Sequence, residues 1–109
     1  MTAETLDTLR RDMTDAAASL ADEKARSEAA YSELLQSALR VANAIADGQI
    51  PSSFDISEFR TGREFLAVKL NREELARERF RAIAAKFHER QRDEAAFVLA
   101  DERRLQEGR

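Results

Sequence analysis

The chain has no cysteine and no tryptophan, and only one proline and three glycines in 109 residues. Without cysteine it can form neither a disulfide framework nor a thiolate metal site, and thiol nucleophile chemistry is closed to it. So few loop formers exclude a many-stranded sandwich or barrel, where turn signals recur every ~8 to 12 residues. Long apolar runs are missing as well. The longest uninterrupted one, Ala95 to Ala100, is far too short to span a bilayer. The first twenty residues carry Glu4, Asp7, Arg10, Arg11, Asp12 and Asp15 in place of the apolar core of a signal peptide, so a cytoplasmic protein with no membrane partner is expected. Gly48, Gly62 and Gly108 stand apart from one another, which leaves no phosphate-cradling glycine loop.

What is present favours helix. Alanine occurs 20 times and arginine outnumbers lysine 15 to 3, so strong helix formers dominate a chain of one-domain length. That alanine and arginine usage also suggests a bacterial source. The formal net charge of −3 selects no polyanionic or polycationic partner by itself. Its distribution is uneven, because residues 60–92 hold ten basic side chains against five acidic ones.

The apolar pattern predicts one long helix from about Ala3 to Asp47. Two seven-residue sets run through it: Leu6, Met13, Leu20, Ser27, Leu34 and Val41, and Leu9, Ala16, Glu23, Ala30, Ser37 and Ala44. Ser27, Glu23 and Ser37 are expected to break this stripe. Gly48 is suited to the position just after the helix, and Pro51 cannot continue it, so residues 48–53 form a loop.

Past the loop, Asn71 with Glu74 has capping-box spacing, and Leu70 and Leu75 sit where a hydrophobic staple needs them. A second long helix is therefore expected over 71–106, with Phe80, Ile83, Ala84, Phe87, Gln91, Ala95 and Val98 on its core face. Residues 54–70 contain two more capping-box spacings, Asp55 with Glu58 and Thr61 with Glu64, which suggests one or two short helices. The competing reading is a strand over 65–70, where Leu66, Val68 and Leu70 alternate onto one face. The fold expected is all-α, a single helical domain. Its long hairpin has coiled-coil-like packing and short helices between, and dimerisation completes a bundle. The alternative is a compact monomer in which residues 54–70 cover Phe97 and Leu99.

No constellation of residues calls for catalysis, a metal or a cofactor. His88 is the sole histidine, and the positions one turn away are Ala84 and Arg92. The acidic pairs Glu73 and Glu74, and Asp93 and Glu94, have Arg77 and Arg90 within three or four residues and read as a solvated helix face. The apolar surplus points to a protein partner. Residues 95–100 are apolar all round a helix, and one face of such a segment needs a second cover. The expected function is a non-enzymatic interaction protein, an adaptor, chaperone or regulator and a homodimer, with Phe65, Leu66, Phe97, Leu99 and Leu105 at its interface. The alternative is a nucleic-acid-binding regulator in which Arg72, Arg79 and Lys86, seven residues apart, neutralise phosphates.

Overall fold

The computed structural model describes residues 5–107, so Ala3 and Gly108 lie outside the described residues. It contains two helices, α1 (Leu6–Ala46, 41 residues) and α2 (Ser53–Glu107, 55 residues), which pack against each other. Local chemistry sets three of the four helix ends. Thr5 caps α1, its Oγ1 accepting from the Thr8 amide at 3.1 Å. Ser52 does the same for α2, accepting from the Asp55 amide at 3.1 Å. At the end of α1, Gly48 takes a left-handed φ of 73°. Its amide donates to the Ile45 carbonyl and the Gln49 amide to the Ala44 carbonyl, a Schellman closure at the glycine the sequence marks for it.

The chain divides into two compact units. One runs from Ser19 to Arg77, and the other joins the start of α1, as far as Ala18, to α2 from Glu78 onward. In the Ser19–Arg77 unit the two helices run antiparallel. Arg40 pairs with Asp55 at 3.5 Å, Leu34 lies beside Gly62, and Ser27 bonds Glu73, so positions fall along α1 as they rise along α2. In the other unit Leu9, Ala16 and Phe87 are buried, and the Arg10 guanidinium lies 5.9 Å from the Phe87 ring centre.

Every member of the two seven-residue sets on α1, from Leu6 to Ala44, is buried or half-buried. Glu23, Ser27 and Ser37, expected to break the stripe, are inside it. On α2 the half-buried or buried positions also alternate steps of three and four, from Asp55 and Phe59 through Gly62 and Leu66 to Phe87 and Arg90. The most deeply buried seam positions are mostly small, with Leu9 and Phe87 the large exceptions. Ala16, Ser27, Ala30, Ser37 and Ala76 are all buried, and a Cβ at Gly62 would stand 3.7 Å from the Leu34 Cα. Small residues there let the backbones approach closely, and the larger seam side chains, among them Leu20, Leu34, Phe59, Leu66 and Phe80, are half-buried.

Three expectations are corrected. First, α2 is continuous from Ser53, so there are no separate short helices in 54–70, no strand over 65–70 and no helix start at Asn71. A capping box starts a helix only where the preceding residues have no reason to be helical. Here Leu66 and Lys69 already lie in the seam, and Glu74 turns to Arg77 at 2.7 Å. Second, Gln91, Ala95 and Val98 are exposed, because the buried face of α2 ends at Arg90. Third, Phe97 and Leu99 are 69% and 58% exposed, so residues 54–70 do not cover them.

Candidate protein-interaction surface

In the Ser19–Arg77 unit, Ser27, Glu28 and Tyr31 of α1 and Leu66, Leu70 and Glu73 of α2 line an open groove of about 280 Å³. Tyr31 and Leu70 form its apolar rims and are each at least half exposed. The apolar row continues along α1 through Leu35 and Leu39, which follow Tyr31 at four-residue steps and are about half exposed.

The groove floor is polar and fully engaged. The Ser27 hydroxyl has one proton and two acceptors in reach, the Lys24 carbonyl at 3.0 Å and the Glu73 carboxylate at 2.5 Å; the shorter, charge-assisted contact is the stronger. Glu73 accepts from Arg77 at its other oxygen, at 2.8 Å, and Arg77 also donates to Glu74. The Ser27 hydrogen bond, then that from Arg77, holds the Glu73 carboxyl below its ordinary range. The hydrogen bonds that Arg77 donates to Glu73 and Glu74 in turn raise its guanidinium above its ordinary range. These groups stabilise each other's charges, which leaves the apolar rims as the part of the groove available to a partner.

The structure disperses the five residues expected at the interface. Leu66 lines the groove. Phe65, one position away on the helix, is half exposed with the Lys69 ammonium 5.0 Å from its ring centre. Phe97 lines a different groove on α2, of about 600 Å³, with Arg90, Asp93, Glu94 and Val98. Leu99 and Leu105 are exposed along the same helix. Arg72, Arg79 and Lys86 are all exposed. Tyr31, Leu35, Leu39 and Leu70 were missed. The signal for the first three is present in the sequence, since a row at 31, 35 and 39 is offset from the sets containing Leu34 and Ala30.

His88 is exposed beside Phe87, with ring centres 5.7 Å apart. Glu73 and Glu74 pair with Arg77, and Glu94 with Arg90, as their spacing implied. Among the described residues no three His, Cys, Asp or Glu side chains converge as metal ligands, and no helix is long and apolar enough to cross a membrane. Compared with protein-family models, curated proteins and solved structures, the chain matches none of them.

Proposed function

We propose that this protein is a non-enzymatic interaction protein, an adaptor, chaperone or regulator, that binds an amphipathic helix of a partner protein in the groove rimmed by Tyr31 and Leu70. The observation that carries this reading is an apolar row that stays exposed beside the seam. Tyr31, Leu35, Leu39, Phe65 and Leu70 are about half exposed or more, outside the buried faces of their helices. The four-residue steps of Tyr31, Leu35 and Leu39 make an apolar ridge of the kind a second helix packs against. The alternating steps of three and four along the seam support coiled-coil-like packing of α1 and α2.

The test is affinity capture by the full chain from a lysate of its host, with and without nuclease, beside Tyr31→Arg and Leu70→Arg variants whose helicity is checked by circular dichroism. The expected result is one stoichiometric protein that survives nuclease and is lost with either variant. Capture that disappears with nuclease and depends on Arg72, Arg79 and Lys86 would replace this reading with nucleic-acid binding.

A further inference from the structure

In the Ser19–Arg77 unit, the residues that directly follow the seam positions form a second strip on each helix. On α1 these are Tyr31, Leu35, Ala38, Ala42 and Ile45, and on α2 Ile56, Arg60, Arg63, Ala67 and Leu70. Steps of four and three keep each strip on one face. One residue is about 100° of helix rotation, and in an antiparallel pair that rotation turns both strips to the same side. The groove that Tyr31 and Leu70 line together lies on that side.

The two strips differ in charge. Among residues 31–46 only Glu33 and Arg40 are charged. Each precedes a seam residue, Leu34 or Val41, so both lie on the opposite flank of α1, where Arg40 pairs with Asp55 at 3.5 Å. The α1 strip is neutral from Tyr31 to Ile45. The α2 strip carries Arg60 and Arg63, both exposed. Leu34 lies beside Gly62, so the next residues, Leu35 and Arg63, stand level on the two sides of the face. The Arg63 guanidinium is 5.9 Å from the Phe59 ring centre, and among the described residues no carboxylate pairs with Arg60 or Arg63. Glu64 falls about 100° further round α2, toward its outer side. Past Leu70 the next acid of the strip, Glu74, is engaged by Arg77.

We propose that the partner helix in this groove carries acidic side chains along the edge it turns to α2, where they pair with Arg60 and Arg63, and an uncharged edge toward α1. This rests on the reading that the groove takes a partner helix, and adds the charge that helix must have. Arg60 and Arg63 are three residues apart, about 4.5 Å of rise, which two acids at i and i+3 or i+4 of the partner match. A guanidinium presents a fork that can take both oxygens of a carboxylate. A helix with a neutral edge would cover these cations without replacing the water they lose, and one with a basic edge would add repulsion. Charge therefore selects among helices that share the same apolar stripe.

The test uses three synthetic helical peptides that share one leucine stripe at three- and four-residue steps and differ only in the residues flanking it: glutamate, glutamine or lysine. Binding to the full chain is read by fluorescence anisotropy. The glutamate peptide is expected to bind about fivefold tighter than the glutamine peptide, the size that two exposed ion pairs provide, and the lysine peptide more weakly than either. High salt is expected to shrink the preference. Arg60→Gln with Arg63→Gln is expected to remove it, and Arg60→Glu with Arg63→Glu to reverse it in favour of lysine, both at unchanged helicity by circular dichroism. Equal binding of the three peptides, lost in Tyr31→Arg, overturns the acidic edge and leaves the groove reading standing. A glutamate preference that persists without Arg60 and Arg63 overturns it as well, since another basic surface then reads the acids. A dimer of the chain in light scattering that Arg60→Glu with Arg63→Glu dissolves makes a second copy the occupant, and also overturns it. Binding of none of the peptides overturns both readings.

Discussion

Ser27 and Glu73, 46 residues apart in sequence, are joined across the two helices by a 2.5 Å hydrogen bond from the serine hydroxyl to the carboxylate. Arg77 takes the other carboxylate oxygen at 2.8 Å. The fully buried positions of the Ser19–Arg77 unit are Ser27, Ala30, Ser37 and Ala76, side chains too small to interlock strongly, so apolar packing leaves part of the alignment of α1 and α2 to be specified otherwise. A polar pair that is satisfied in only one alignment supplies that specification, as buried polar residues do in other helix pairs.

This arrangement makes stability depend on pH in a defined direction. Glu73 is held below its ordinary value of 4.5, chiefly by Ser27. Its contribution is therefore complete above the ordinary carboxylate range and is lost as pH falls through the lower folded-state value. In Ser27→Ala the carboxyl moves back toward 4.5. The expected outcome is a thermal midpoint below that of the native chain near neutral pH, with the two curves converging in acid. A gap that stays constant across pH would show that Ser27 contributes packing and not a bond to the ionised carboxylate.

Gly62 gives a test of how closely the helices approach. It lies inside α2, where glycine costs about 0.5–1 kcal/mol relative to alanine. An added Cβ would meet Leu34 Cδ1 at 3.3 Å. That atom ends a flexible, half-buried side chain, which can turn aside. Gly62→Ala is therefore expected to stabilise the fold by roughly 0.5 kcal/mol in urea denaturation. Gly62→Leu has no such escape, because the Leu34 backbone is next in line, and is expected to cost about 1–3 kcal/mol.

Two phenylalanines ten residues apart on α2 are expected to respond in opposite ways. Phe87 is 8% exposed and Phe97 69% exposed. Phe87→Ala is expected to destabilise the fold by about 3–4 kcal/mol. Phe97→Ala is expected to change it by no more than about 0.5 kcal/mol. Denaturant midpoints of the two variants, taken side by side, check this.

What could be read from the sequence was what depends on local chemistry or on strict period. The two seven-residue sets on α1 gave the buried face, and Gly48 gave the helix end, because only a residue free to adopt positive φ closes it well. Misreadings came where a local signal met a tertiary one. Asn71 and Glu74 have the spacing of a helix start, yet the seam on either side continues and the helix continues with it. Ser27 was read as a break because periodicity scores side chains by polarity, and it has no means of seeing a carboxylate waiting 46 residues away. The exposure of 91–107 was hidden for a related reason. A stripe of period 3.6 marks a face that can be buried, and it carries no information about whether the other helix extends far enough to bury it. The row of Tyr31, Leu35 and Leu39 lies outside the two seven-residue sets, which mark only the face that α1 buries, so the rim of the groove does not follow from them.

The turn between the helices yields the last prediction. Gly48 has φ 73° and nothing within 4 Å of where a Cβ would stand. Any cost of substitution there is conformational, with no steric contribution from neighbours. Gly48→Ala is expected to lower stability by about 1–2 kcal/mol, since an L-residue pays that much in the left-handed region. Gly48→Asn, whose short polar side chain tolerates the same region, is expected to lose less. The two Schellman hydrogen bonds at Ile45 and Ala44 are made by backbone amides and survive both changes. The ordering glycine, asparagine, alanine in thermal midpoint would confirm that φ alone sets the requirement. Equal losses for both variants would mean that the turn tolerates no side chain, which the open space around Gly48 argues against.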